Sequence, residues 1–491
     1  MPSFRLVAVG VLSSYALALI LIIFLALADI HWLPGWGSFE FLLLLAVVTL
    51  AGLLATLRAG IQAMRGFEAQ GKYEWVRDSY WVLVAYSLFL PLLALVVLNT
   101  WLAWQGGGAA GASVAVAADP YRYGAVIDAG SSGSRIAIFE WRIAGNGDPH
   151  VWPVLSVEGK DAEGKNCPLS DLPKDQDRIC NCLRTLTSVA REAAMRYLGE
   201  PDLPPIDLWV KATAGVRYQK PATRAVVLEA TDRCLGDSAH YDWRAAEVIS
   251  GEEEGMYAWL AVNHVARTLR NDRPDTFGIV EVGGMSAQIA YRVPGRTSPA
   301  PEKGEILQVP LASGTLHIYS LSDKLGKNAA WGGIDAAGQR HCELNGDRDM
   351  CLSAIDDYLC RTGFASRACP QREFERRPPR DLRFVGLSNF THVTRNMGLA
   401  SQTLEEVRAR AEMICGSLYD DDRRSELLKP AGKYKDYVCF DSLYATQLAR
   451  DGWGVALEAV SPPDPQWATD PSWPLGAMIF EALHSTNSGA R

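Results

Sequence analysis

Asp128 and Glu281 each end an apolar run and precede a glycine-rich turn and a second apolar run. The two stretches are Ala125-Val126-Ile127-Asp128-Ala129-Gly130-Ser131-Ser132-Gly133-Ser134-Arg135-Ile136-Ala137 and Gly278-Ile279-Val280-Glu281-Val282-Gly283-Gly284-Met285-Ser286-Ala287-Gln288-Ile289-Ala290. A carboxylate at a strand end can hold a hard divalent cation, directly or through water. A Gly/Ser turn bares backbone N–H groups that, with hydroxyls, cradle phosphate oxygens. One such hairpin is ordinary turn chemistry, because Gly and Ser favour turns on steric grounds alone. Two in matched order, with Gly130 against Gly283 and Ile136 against Ile289, point to a pair of clamps on a polyphosphate and its metal.

Two further segments complete the chemistry. Lys211-Ala212-Thr213-Ala214-Gly215-Val216-Arg217 follows an apolar strand and sets a hydroxyl and a guanidinium at its mouth. Taken alone, the arginine reads as a surface or ion-pair residue. Ser250-Gly251-Glu252-Glu253-Glu254-Gly255 places three carboxylates before an apolar, helix-like stretch. An acidic triplet usually marks a solvated helix N-terminus favoured by the dipole. Beside a phosphate-bound metal, one of these carboxylates is also a natural general base for water.

The elements that must position these groups alternate. Tyr123 to Ile127, Ile136 to Trp141, Leu208 to Lys211 and Gly278 to Val282 read as strands. Thr187 to Leu198 and Leu404 to Leu418 have helical spacing, so residues 119 onward form an α/β pattern. The Pro/Arg-rich, Cys-bearing stretch from about 328 to 380 reads as an irregular, disulfide-tied excursion.

Upstream, the 491-residue chain is of another kind. Leu6–Ala28, Phe39–Leu57 and Tyr80–Trp104 are apolar runs with tryptophans at their ends, each long enough for a transmembrane helix. Residues 1–105 thus read as a three-span membrane module and 106–118 as a Gly/Ala linker. The loop between the second and third runs carries Arg58, Arg65, Lys72 and Arg77, whereas the loop between the first two carries no Lys or Arg. The positive-inside rule puts the N-terminus in the cytoplasm and everything after Trp104 on the exoplasmic side. All 10 cysteines lie between Cys167 and Cys439, an even set suited to disulfides in an oxidising compartment, with pairing left open. Residues 1–118 hold five basic and five acidic side chains, so the downstream part carries the entire net charge of -8. An acidic surface argues against nucleic acid as a partner. The sequence leaves the oligomeric state open.

In this order the motifs resemble those of the apyrase family, the nucleoside triphosphate diphosphohydrolases. Asp128 to Arg135, Ala212 to Arg217, Ser250 to Trp259 with Asn263, Glu281 to Ile289 and the closing Ser472-Trp473-Pro474-Leu475-Gly476 carry the resemblance, with a weaker match through His317, Tyr319, Leu325 and Gly326. It implies an actin-like, two-lobed α/β fold of ribonuclease H-like repeats, with 119–250 plus 464–491 as lobe I and 251–463 as lobe II. It also implies hydrolysis of the terminal phosphate of nucleoside tri- or diphosphates, dependent on Ca²⁺ or Mg²⁺. Carried over by position, Glu254 would activate water, and Thr213, Ser286 and Gln288 would help place it. Asp128 and Glu281 would hold the metal's waters. Ser131, Ser132, Gly133, Ser134, Gly283, Gly284, Met285 and Ser286 would bind phosphates, with Arg217 and Trp473 in support. Three departures stand out: Glu281 where the family usually has Asp, Met285 and Ala287 around the serine, and Thr391 after Phe390 where an aromatic pair often stacks the base. Rival expectations are an exopolyphosphatase-type phosphatase and a catalytically weak, membrane-tethered nucleotide sensor.

Overall fold

The computed structural model describes residues 121–488 apart from 146, 161–163, 173–174, 270–274, 296–302, 367, 371–376, 400–401, 416–420 and 468–470. The three apolar runs and the linker lie outside the described residues. Among the described residues no helix is long and apolar enough to cross a membrane.

Two mixed sheets organise the chain. The first joins β1 (Arg122–Ala129), β2 (Ser134–Ile143), β3 (Pro149–Glu158), β4 (Ile206–Ala212) and β5 (Tyr241–Val248) in the order β3-β2-β1-β4-β5. The second joins β6 (Gly278–Val282), β7 (Ala287–Val293), β8 (Glu305–Leu311), β9 (Gly314–Asp323), β10 (Phe384–Ser388) and β11 (Val460–Ser461) in the order β11-β10-β6-β7-β9-β8. With β8 set aside as an extra edge strand, the second order repeats the first. The pairings repeat as well: β1/β2 and β6/β7 are antiparallel, whereas β1/β4 and β6/β10 are parallel. From Gly124 onward β1 is buried at every residue, as expected of a central strand covered on both faces.

The helices Gly251–Val265 and Trp473–Ser488 share one core with both sheets: Val126 and Phe139 from the first, Ile289's neighbour Ala290 and Ile318 from the second, and Trp259, Leu475 and Ile479 from the helices. Their crossing explains the glycine of the closing motif. A methyl group at Gly476 would lie 1.7 Å from the Tyr257 carbonyl oxygen, so only glycine lets the two backbones meet. Pro474 sits in the first turn, where its missing N–H costs no helical bond.

The stretch from about 328 to 380 differs from the irregular excursion expected. It contains the helices Lys327–Gly333, Ala336–His341 and Arg348–Arg361. Asp335 caps the second by accepting from the Gly338 N–H, and Asp347 caps the third by accepting from Asp349 and Met350. These turn-favouring residues begin helices here because their oxygens satisfy otherwise unpaired N–H groups. All ten cysteines are paired, as 167–182, 180–234, 342–351, 360–369 and 415–439.

Candidate active site

Asp128 is the next-to-last residue of β1 and Glu281 that of β6, so the duplicated sheets bring both carboxylates to one cleft of about 710 Å³. Each strand then runs into its turn with the same closing bond: the Gly130 N–H donates to Gly133 O at 3.0 Å, and the Gly283 N–H to Ser286 O at 2.9 Å. The two turns approach closely. A methyl group at Gly284 would come within 3.0 Å of the Ser131 Oγ. Ser131, Ser132, Gly283, Gly284, Met285 and Ser286 line the cleft, as do Thr213, Glu254 and Trp473.

Glu254 arrives from the first turn of the helix Gly251–Val265. Ser250 caps that helix by accepting from the Glu253 N–H, while the Glu253 carboxylate accepts from the Ser250 N–H. Glu252 accepts from the Ser322 N–H of β9 at 3.2 Å. The acidic triplet therefore divides its labour: one residue caps, one ties the helix to the second sheet, and Glu254 enters the cleft.

Both terminal nitrogens of Arg217 donate to Glu254 Oε2 at 3.1 Å, and Gln288 Nε2 donates to the same oxygen at 3.3 Å. Ser286 Oγ accepts from Arg217 at 3.3 Å and from Gln288 at 3.0 Å. Glu254 Oε1 makes no hydrogen bond among the described residues. Burial raises the Glu254 carboxyl above its ordinary range, and the Arg217 guanidinium opposes that rise. A carboxylate made more basic by burial yet oriented by an arginine suits proton abstraction.

The other two carboxylates are held differently. Asp128 Oδ1 and Glu281 Oε2 are buried and have no hydrogen-bond partner among the described residues. Burial pushes both carboxyls up to about 7; Arg135 opposes the rise at Asp128, whereas the Glu254 charge adds to it at both. Two orphaned anionic oxygens facing one cleft fit a hydrated divalent cation, which would supply the missing positive charge. Among the described residues no group of three or more His, Cys, Asp or Glu could enclose a metal directly. The donor set therefore suits cation-bound water rather than a protein cage.

Not every expected site residue faces the cleft. Ser134 is buried at the start of β2, and its Oγ donates to Cys167 O at 2.7 Å, so that hydroxyl is committed to the fold. Gly133 closes the turn with its carbonyl and is absent from the cleft lining. Arg217, which local sequence alone reads as a surface or ion-pair residue, forms an ion pair with Glu254. Ser388 went unread altogether. It ends β10, beside Val282 of β6, and its Oγ donates to Glu281 Oε1 at 2.6 Å. Its φ of 53° is unusual for a residue with a side chain. Only the parallel pairing of strands a hundred residues apart reveals it. His392 and Arg395 follow on the cleft wall, where the departure at Thr391 removes an aromatic ring.

The comparisons with known proteins agree with this geometry. The sequence profile of the GDA1/CD39 (nucleoside phosphatase) family matches residues 115–331, which include four of the five motifs. Probable apyrase 5 of Arabidopsis thaliana is 27% identical over 398 residues, covering 68% of this chain and 76% of the relative. Human ectonucleoside triphosphate diphosphohydrolase 2 is 26% identical over 425 residues, covering 73% and 82%. The solved structure of nucleoside triphosphate hydrolases from Neospora caninum superposes with a TM-score of 0.52 at 15% identity, over 76% of this chain and 94% of that one. That likeness extends the actin-like α/β architecture to this chain. Five ordered motifs, two matched hairpins and these relatives together support the GDA1/CD39 nucleoside phosphatase family for this chain, and with it a nucleoside phosphate hydrolase.

Proposed function

We propose that the chain is a membrane-anchored nucleotidase that removes the terminal phosphate of nucleoside tri- and/or diphosphates on the exoplasmic side. The observation that carries this reading is the convergence of Glu254, Arg217, Ser286 and Gln288 on one side of two facing phosphate hairpins. Lobe I (119–250 plus 464–491) supplies one hairpin and lobe II (251–463) the other. Water is placed by Thr213, Ser286 and Gln288 and attacks the terminal phosphorus in line with the leaving oxygen. Its proton passes to Glu254 Oε1, the oxygen that Arg217 and Gln288 leave free. The bond from phosphorus to the bridging oxygen breaks, giving orthophosphate and a nucleotide shorter by one phosphate. Positioning and charge neutralisation supply most of the rate in such transfers. Asp128 and Glu281 would hold the waters of Ca²⁺ or Mg²⁺, which when bound neutralises charge on the phosphates.

Phosphate release from ATP, ADP, GDP, UDP, inorganic polyphosphate and pyrophosphate, measured on the purified full-length protein, tests the reading. Release from the nucleotides, lost in Glu254→Gln, is the expected result. Turnover of polyphosphate alone would make the chain an exopolyphosphatase-type enzyme. Nucleotide binding without turnover would make it a sensor.

A further inference from the structure

The second phosphate hairpin is held from behind by a short strap, Leu325-Gly326-Lys327-Asn328, which follows β9 and opens the helix Lys327–Gly333. The Lys327 N–H donates to Gly283 O at 2.9 Å and the Asn328 N–H to Gly284 O at 2.8 Å. Carbonyl and N–H of a trans peptide point in opposite directions, so these bonds turn the Gly284 and Met285 N–H groups away from the strap. Gly284 and Met285 line the cleft. The strap lies directly on the hairpin backbone. A methyl group at Gly326 would collide with the Met285 nitrogen and the Gly284 carbonyl carbon, so only glycine lets the two segments meet.

Two side chains of one buried helix fix the strap in turn. Asp441 and Tyr444 stand three residues apart on the helix Val438–Gln447 and so share a face. The Tyr444 hydroxyl donates to Leu325 O at 2.7 Å, and Lys327 Nζ donates to Asp441 Oδ2 at 2.8 Å. One bond falls on each side of Gly326. Both residues are buried, and neither lines the cleft. The helix that carries them is itself tied by the 415–439 disulfide. A buried carboxylate is costly to keep in a core unless paired, and here its pairing is with the strap.

We propose that Asp441 and Tyr444 are positioning residues for phosphate binding. They pin the strap at Lys327 and Leu325, and the strap fixes the Gly283 and Gly284 carbonyls of the second hairpin. This rests on the hydrolase reading, because it takes that hairpin to be a phosphate cradle. Neither side chain meets substrate. Loss of either loosens the cradle and weakens ground-state binding, which acts on KM more than on kcat.

The test measures kcat, KM and thermal melting of the full-length protein, with whichever nucleotide it hydrolyses fastest. Asp441→Asn and Tyr444→Phe are each expected to raise KM about three- to tenfold, the size of one hydrogen bond, with kcat changed by less than about threefold. Lys327→Met removes the ammonium and keeps the backbone N–H, so it is expected to match Asp441→Asn. The double variant of Asp441→Asn and Lys327→Met is expected to be no worse than either alone, since both delete one bond. Ser442→Ala is the control. Its buried hydroxyl bonds Val438 O and Cys439 O within the same helix, so its loss is expected to lower the melting temperature and leave KM unchanged. An unchanged KM in Asp441→Asn or Tyr444→Phe, an equal rise of KM in Ser442→Ala, or multiplying effects in the Asp441–Lys327 pair would overturn the assignment. A parent protein that releases phosphate from no nucleotide would overturn the hydrolase reading, and the assignment with it.

Discussion

Three carboxylates share one cleft but sit in unlike surroundings, and their chemistry diverges accordingly. Glu254 has an arginine and an amide on one oxygen and, among the described residues, no hydrogen bond on the other. Removing its basicity without changing its shape, by Glu254→Gln, is expected to lower kcat by at least about a hundredfold, the lower end of what a general base contributes. Undiminished release of phosphate in that variant would remove Glu254 from the mechanism. Burial is the main influence on the acidity of Asp128 and Glu281, and it pushes both up to about 7. A cation binds the ionised forms, so protonation competes with it. The Ca²⁺ or Mg²⁺ concentration for half-maximal activity is expected to rise as pH falls from 8 to 6, by up to about tenfold per unit for each carboxylate. The stability sign is the reverse of a usual ion pair. Both groups bind protons more tightly folded than unfolded, so without cation stability falls as pH rises from about 4 to 7. Added cation is then expected to raise the melting temperature at pH 8 and to lose that effect near pH 5. A melting temperature indifferent to cation at pH 8 would remove Asp128 and Glu281 from the cation site.

Elements rather than residues decide whether Glu254 reaches the cleft. Its helix is capped by Ser250 and Glu253 and crossed by the C-terminal helix at Gly476. Gly476→Ala must push the two helices apart, because the clash is with the Tyr257 backbone and not with a side chain that can rotate. An overpacked site of this kind costs about 1–3 kcal/mol. A thermal melt should fall by a few degrees, with kcat reduced because the displaced helix carries Glu254. Wild-type melting and turnover would show that the crossing has more slack than the geometry indicates. The buried Lys211 of β4 ties the first sheet to the second of these helices: its Nζ donates to Glu247 of β5 at 2.5 Å and to Glu481 of the helix Trp473–Ser488 at 2.6 Å. With no exposure to water, it depends on both carboxylates for its charge.

For the whole molecule, the expectation with the widest reach is topological. From three apolar runs and their flanking basic residues we propose that the acidic downstream part, with its five disulfides, lies outside the cytoplasm. A reporter fused at the C-terminus should be active only if it reads the exoplasmic compartment. Activity restricted to a cytoplasmic reporter would reverse the orientation. The disulfides support that side independently, since such bonds persist where thiols are oxidised.

The central strands, the two turns, the capped acidic helix and the closing motif were legible in the residues, because each is specified by neighbours within a few positions. Apolar runs set β1 and β6, glycines set the turns, and Ser250 with Glu253 set a helix start. Partnership across the fold was not legible. Arg217 reads as a surface or ion-pair residue with no partner named until the helix Gly251–Val265 delivers Glu254 to it, and Ser388 has no motif until β10 lies parallel to β6. Ser134 reads as a phosphate ligand until Cys167 O takes its hydroxyl. The sequence by itself determined which groups could do phosphate chemistry and that there were two sets of them. The tertiary structure alone decided which oxygen of Glu254 Arg217 and Gln288 hold, that Ser388 reaches Glu281 and that Ser134 turns to Cys167. Those outcomes depend on contacts between segments tens to hundreds of residues apart, which no local pattern encodes.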